Sequence, residues 1–146
     1  MLKELIDNKR YSFHKEFDNW EDAVQAACKP LIEEGVIETS YVDSIIENVK
    51  SFGPYIVIAP NICIPHAQEG KGVKDTAICF MRTEKPVHFG ETAEHDARLF
   101  FVLASTDNEK HMQNLVGLCE LVEDQQVVEK LLNSNSAQDL KALLKN

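Results

Sequence analysis

Apolar positions along this chain repeat with two periods, and each period predicts its own kind of element. Trp20, Ala23, Val24, Ala27 and Leu31 recur at helical spacing. Asp18, with Glu21 three residues on, marks the start of that helix, and Gly35 can close it. Pro30 lies inside the pattern and predicts a kink or an early stop. A second helix is expected from about Ser40, with Val42, Ile45, Ile46, Val49 and Phe52 on one side and Gly53-Pro54 as its end. Met1 to Ile6 reads as a short helical turn. In the C-terminal third, Thr106 and Glu109 form a capping box, and His111, Leu115, Leu118 and Val122 follow at i, i+4, i+7 and i+11. Val127, Val128, Leu131 and Leu132 predict a further helix, and Ser136 to Leu144 a last one.

The other period is that of strands. Tyr11-Ser12-Phe13-His14 alternates like an edge strand, and Tyr55 to Ala59, Ile62 to Ile64 and Ala77 to Met81 are short strand patterns. Leu99-Phe100-Phe101-Val102-Leu103-Ala104 is apolar throughout, as expected of a strand covered on both faces. The fold class that follows is α/β: a single domain over residues 1–146, with a central sheet between two helical layers. No repeat, low-complexity tract or Pro/Gly/Ser-rich linker divides it. The pattern leaves open the strand order and which pairs are parallel.

Composition adds exclusions. Hydrophobic residues are 44% and charged residues 27%, ordinary for a globular protein, so disorder is not expected. With 24 acidic side chains against 15 basic, the net charge of -9 argues against nucleic acid or an anionic membrane as partner. Cys28, Cys63, Cys79 and Cys119 are spread singly, without a C-x-x-C pair, no apolar run reaches membrane length, and no secretory leader is expected. A cytoplasmic protein with reduced, mostly buried thiols is expected.

Candidate chemistry centres on Ala59-Pro60-Asn61-Ile62-Cys63-Ile64-Pro65-His66-Ala67. Pro65 fixes the local backbone and biases Ile64 toward extended geometry, leaving few ways to swing the His66 imidazole aside. Asn61 tolerates left-handed geometry, so a tight turn between Ala59 and Ile62 would deliver His66 to a rim. His111 shares a stripe with Leu115, Leu118 and Val122 near a helix N-terminus. It is either a core residue with a satisfied ring or an anion-binding group, and the residues alone favour the core. His88 borders a turn-rich segment, His95 sits in a polar loop, and His14 fits an edge strand. Cys63-x-x-His66 is half a ligand pair without a second pair at zinc spacing, and the strand pattern packs Cys63 away. There is no Walker A loop, G-x-G-x-x-G or G-x-S-x-G, so nucleotide binding and serine-hydrolase chemistry find no support.

Three motifs together resemble a known family. Pro54-Tyr55-Ile56-Val57-Ile58-Ala59-Pro60-Asn61-Ile62-Cys63-Ile64-Pro65-His66-Ala67 is similar to the active-site signature of enzyme IIA domains of the bacterial sugar phosphotransferase system, in the mannitol/fructose (type 2) superfamily. Pro86-Val87-His88-Phe89-Gly90 resembles that family's P-V-x-F-G turn, and Thr106 to His111 its second-histidine motif. The Gly-Pro-Tyr-Ile-Val-Ile run looks most like the ascorbate-type branch. The mannitol/fructose branch carries an arginine sixteen residues before the phosphorylated histidine. Here Lys50 stands there, and the arginine's role is not transferred to it. Asn61 and Cys63 replace the family's usual glycine and alanine.

The resemblance implies a mixed sheet and a phosphoryl relay. HPr would phosphorylate His66, and His66 would pass the group to a cysteine of enzyme IIB while the IIC permease carries the sugar. His111 would stabilise the phosphoryl oxygens together with helix N-terminal amides. One His66 nitrogen should present its lone pair while the other is tied to a backbone carbonyl. No metal, nucleotide or other cofactor is implied, and a homo-oligomer is left open. The docking rim is expected around Pro65, Ala67, Val87 and Phe89, with Lys74 and Lys85 adding charge. The alternatives are a regulatory IIA-like phosphoprotein that binds a regulator, and a metal-dependent enzyme built on Cys63, His66 and His111.

Overall fold

Helices α1 (Leu2–Asp7), α2 (Trp20–Glu34) and α3 (Thr39–Phe52) fall in the first third of the chain, and α4 (Asn108–Glu123), α5 (Gln125–Leu132) and α6 (Ala137–Ala142) in the last. Between them, and after α1, run β1 (Tyr11–His14), β2 (Val57–Ala59), β3 (Asn61–Cys63), β4 (Ala77–His88) and β5 (Asp96–Ala104). The computed structural model describes residues 1–67 and 72–145. The strands form one sheet in the order β1-β4-β5-β3-β2. β1 is parallel to β4 and β3 to β5, while β4–β5 and β2–β3 are antiparallel, so the sheet is mixed.

Two layers of core explain the apolar run in β5. On one face α2 and α3 bury Ala23, Val24, Leu31, Ile45 and Val49 against Cys79, Met81, Phe100 and Val102. On the other, α1, α4, α5 and α6 bring Leu5, Leu118, Leu131 and Leu140 onto Ile78, Phe80, Leu99, Phe101 and Leu103. Side chains in β5 therefore alternate between two dry layers, and neither parity can be polar. The alternation is broken once. Asn61 pairs with Ala97 but Ile62 with Leu99, so Arg98 is an extra residue in the ladder, a bulge. Its guanidinium reaches the carbonyls of Thr83 (3.0 Å) and Leu132 (3.2 Å), the latter at the end of α5. Arg82, which is buried, donates to the Ser134 carbonyl at 2.6 Å and to the Asn135 side chain. Two cations thus pin the α5–α6 connection to the sheet.

Several expected boundaries move. The cap of α2 is Asn19, which accepts from the Asp22 amide at 2.8 Å, one residue after the expected Asp18. α2 runs through Pro30 to Glu34 and closes on Gly35 at φ 84. Pro30 costs one hydrogen bond, but the fully buried Cys28 and Leu31 on either side hold the turn against the sheet. β2 begins at Val57 rather than Tyr55, because Gly53 to Tyr55 form the turn that follows α3. The cap of α4 is Asp107, not Thr106; the Thr106 amide is taken by the Thr76 hydroxyl at 3.0 Å. Phe52, expected on the buried side of α3, is 76% exposed at the helix end, while Val49 one turn before it stays in the core.

Gly72 returns the chain to the start of α3, with φ 82 and its carbonyl accepting from the Glu38 amide at 2.8 Å. A Cβ there would stand 2.5 Å from Ser40 Oγ and 2.9 Å from the Tyr41 amide nitrogen, whereas at Gly35 it would meet open space. The pair separates backbone strain from collision. Gly35→Ala should lose about 1–2 kcal/mol of stability from positive φ alone. Gly72→Ala should lose about 1–3 kcal/mol more, because the start of α3 must shift. Urea denaturation of the two variants checks both values.

Candidate functional site

His66 is the first residue beyond the sheet ladder at the outlet of β3. Its delivery depends on Asn61, whose φ of 72 makes the tight reversal from β2 into β3 that asparagine tolerates. The ladder continues past the last strand residue. The Ile64 amide donates to Ile56 O at 2.7 Å, and the Leu103 amide to Pro65 O at 3.0 Å. Pro65, buried and lacking an amide proton, then holds the backbone at fixed φ immediately before His66.

The half-buried imidazole is fixed through Nδ1, which lies 2.6 Å from the carbonyl oxygen of Ile64. A carbonyl only accepts, so Nδ1 carries the proton, and in the neutral ring Nε2 keeps its lone pair. Tyr55 stands edge-on to this ring, with centroids 5.4 Å apart and planes at 85°. Its hydroxyl donates to the His66 carbonyl at 2.5 Å. Tyr41, buried in the first turn of α3, donates its hydroxyl proton to Leu103 O at 2.6 Å and accepts from the Ala67 amide at 3.2 Å. Desolvation pushes the Tyr41 phenol up to about 12, so it stays protonated and remains a donor.

Sequence reasoning missed both tyrosines. Tyr41 lies one residue before the apolar stripe of its helix, and Tyr55 falls within a strand pattern. The Gly53-Pro54 stop is the signal that could have placed Tyr55 in a turn beside the histidine.

His111 sits half-buried in the first turns of α4, and its amide bonds Asp107 O at 2.9 Å. β5 feeds α4 through Ser105 to Asp107, and β5 is the parallel neighbour of β3. The outlets of the two strands, one carrying His66 and the other leading to His111, therefore lie at the same end of the sheet. The anion-binding amides expected here are partly taken. Asp107 Oδ1 accepts from the Glu109 amide at 2.9 Å and the Lys110 amide at 3.4 Å. An incoming anion would find the His111 ring available sooner than those two amides.

The remaining candidates separate from this end. His88 is exposed and its Nδ1 meets Asp96 Oδ1 at 2.8 Å. His95 closes a short turn, with its carbonyl accepting from the Phe89 amide at 3.3 Å. His14 stands beside Phe17 at the edge of the sheet, where partial desolvation and then the Lys29 charge lower its pKa. Lys50, at the position of the family's arginine, is exposed on the last turn of α3. Among the described residues no three His, Cys, Asp or Glu side chains converge as metal ligands. A groove of about 720 Å³ between α5 and α6, lined in part by Gln126, Glu129, Asn133 and Leu143, contains no candidate residue.

The expected docking rim is corrected in part. Val87 and Phe89 are buried, because Phe89 packs between Trp20 at 5.6 Å and Phe100 at 6.1 Å in the α2 layer. Pro65 is buried as well, and Ala67 half-buried. Lys74 and Lys85 are exposed, but paired with Glu38 (3.4 Å) and Glu16 (3.2 Å). The large apolar side chain that is both exposed and against His66 is Tyr55, with Phe52 and Ile58 exposed close to it in the chain.

Among the described residues no helix is long and apolar enough to cross a membrane. A family model described as "Phosphoenolpyruvate-dependent sugar phosphotransferase system, EIIA 2" matches residues 4–146. The ascorbate-specific PTS system EIIA component of Escherichia coli K12 is 28% identical over 141 residues, covering 96% of this chain and 92% of that protein. The crystal structure of IIA mannitol from Escherichia coli superposes with a TM-score of 0.78 at 26% identity, covering 93% of this chain and 96% of that one. PtxA of Streptococcus mutans, described as a PTS IIA, superposes with a TM-score of 0.87 at 26% identity, covering 99% and 92%.

Cys63 can be tested directly as nucleophile or ligand. It is fully buried, and desolvation pushes its thiol well above the ordinary range; burial does the same to Cys28 and takes Cys79 up to about 12. Cys119 is exposed. A thiol reagent such as DTNB at pH 8 should modify Cys119 at once and the other three only on unfolding, since the buried sulfurs are neither accessible nor ionised. Rapid native-state labelling of Cys63, read by mass spectrometry, would restore it as a reactive group.

Proposed function

Because this chain belongs to the EIIA 2 family of the phosphoenolpyruvate-dependent sugar phosphotransferase system, we propose that it is a cytoplasmic phosphoryl carrier whose working nucleophile is His66. The observation that carries this is the 2.6 Å bond from His66 Nδ1 to Ile64 O, which leaves Nε2 as the one nitrogen able to attack phosphorus. Phospho-HPr is the donor. The Nε2 lone pair forms the new N–P bond as the donor's N–P bond breaks, and the electron pair of the broken bond returns to the donor imidazole. In the second step a cysteine thiolate of enzyme IIB attacks the same phosphorus, and Nε2 leaves with its pair. Nδ1 keeps its proton and donates it to Ile64 O throughout, so neither step needs a proton shuttle, a metal or a nucleotide.

His111 is the group assigned to the phosphoryl oxygens, with the larger share because Asp107 occupies the amides of Glu109 and Lys110. The relatives named as ascorbate-specific support an ascorbate-type sugar, with a membrane IIC permease as the final user.

Incubation with phosphoenolpyruvate, enzyme I and HPr should add one acid-labile phosphoryl group, located at His66 by mass spectrometry. His66→Ala should abolish it, and labelling that survives this change would sink the proposal. His111→Ala should leave the labelled residue unchanged and slow transfer by about 10²–10³-fold, the usual cost of one positioned group at a developing charge. Passage of the label to a IIB cysteine distinguishes a transport relay from a regulatory phosphoprotein.

A further inference from the structure

We infer that Tyr41 and Tyr55 are positioning residues that grip one peptide unit, His66–Ala67, from its two ends and thereby aim the His66 ring; this rests on the reading of His66 as the phosphoryl acceptor. Tyr55 donates to the carbonyl oxygen of that unit, and Tyr41 accepts from its N–H. A peptide unit is planar, so fixing its C=O and N–H fixes the plane that contains the His66 Cα. Pro65 sets the backbone on the preceding side, Nδ1 is held by Ile64 O, and the Tyr55 ring closes against the imidazole edge-on. The torsions left to His66 are those the Nδ1 bond already selects.

Each phenol is itself committed. A tyrosine has a single hydroxyl proton, and that of Tyr41 goes to Leu103 O, so toward Ala67 its oxygen can only accept. The proton of Tyr55 goes to His66 O. Both tyrosines flank one helix, Tyr41 in its first turn and Tyr55 just beyond its end, so α3 acts as the arm that carries the grip. Tyr55 is 36% exposed, where water competes for its hydroxyl and one hydrogen bond adds little to global stability. What this bond restricts is the orientation of the residue it touches.

The test uses the full chain labelled with ¹⁵N at histidine, with long-range ¹H–¹⁵N spectra reporting the His66 tautomer. The unmodified protein should show the Nδ1–H form. Tyr55→Phe keeps the ring and removes only the hydroxyl. It should populate the Nε2–H form and slow phosphoryl acceptance from phospho-HPr by about tenfold or more at saturating donor, with little change in KM. Tyr41→Phe should do the same. If that buried variant fails to fold, Tyr55→Phe decides alone, its fold checked by its amide spectrum. A tautomer population unchanged by Tyr55→Phe overturns the inference whatever the rate. Failure of the unmodified protein to accept phosphoryl at His66 would instead overturn the functional reading, while the tautomer comparison still decides whether the tyrosines aim the ring.

Discussion

Leu103, buried near the end of β5, spends both of its backbone groups on the segment around His66. Its amide donates to Pro65 O at 3.0 Å, and its carbonyl accepts the Tyr41 hydroxyl at 2.6 Å, whose oxygen in turn takes the Ala67 amide at 3.2 Å. The result is a closed circuit of hydrogen bonds from β5 through the histidine segment and α3 back to β5. β3 is three residues long, and beyond the Ile64 amide's bond to Ile56 O this circuit is what ties the following segment to β5. Each buried group left unpaired would cost about 1–3 kcal/mol. Loss of one member therefore exposes the others, and the segment is held as a unit.

The circuit has meaning only because β3 and β5 are parallel. Parallel neighbours discharge their following segments at the same end of the sheet, which is where ligand sites of open α/β sheets form. His66 follows β3 and α4 follows β5, so one strand pairing sets both histidines at one end. The register of that pairing is in turn enforced by burial. A one-residue slip would exchange Ile62 and Cys63 between the two core layers and carry Arg98 out of its bulge. The site is thus anchored to the core by backbone hydrogen bonds, although it lies at the surface.

The same packing explains which chemistry is withheld. Cys28, Cys63 and Cys79 all point into the layer under α2 and α3, where desolvation keeps their thiols protonated. Cys63 stands three residues from His66 and is still fully buried, with its thiol held protonated by desolvation. The parity of one strand residue buried it, and the proline that follows left only the histidine at the surface.

Local chemistry was legible in the chain: Asn61 at a positive-φ reversal, Gly35 closing α2, the edge strand Tyr11–His14, and the doubly covered run in β5 are each imposed by the residue or pattern itself. The motif around His66 also stood out, because proline and a bounded strand constrain backbone within a few residues. Caps shifted by a single position, from Asp18 to Asn19 and from Thr106 to Asp107, since several oxygen-bearing side chains compete there and only the final geometry chooses among them. Contacts across the sheet could not be read at all. The strand order, the burial of Phe89 beneath Trp20, the exposure of Phe52, and the two tyrosines on one peptide unit depend on residues up to 69 positions apart. Their cause is the way two helical layers share one sheet. The sequence by itself determined which residue would stand fixed at a strand's end, because backbone restriction is local. Tertiary structure decided what surrounds it, because hydrogen bonds and desolvation act between parts of the chain that only folding brings together.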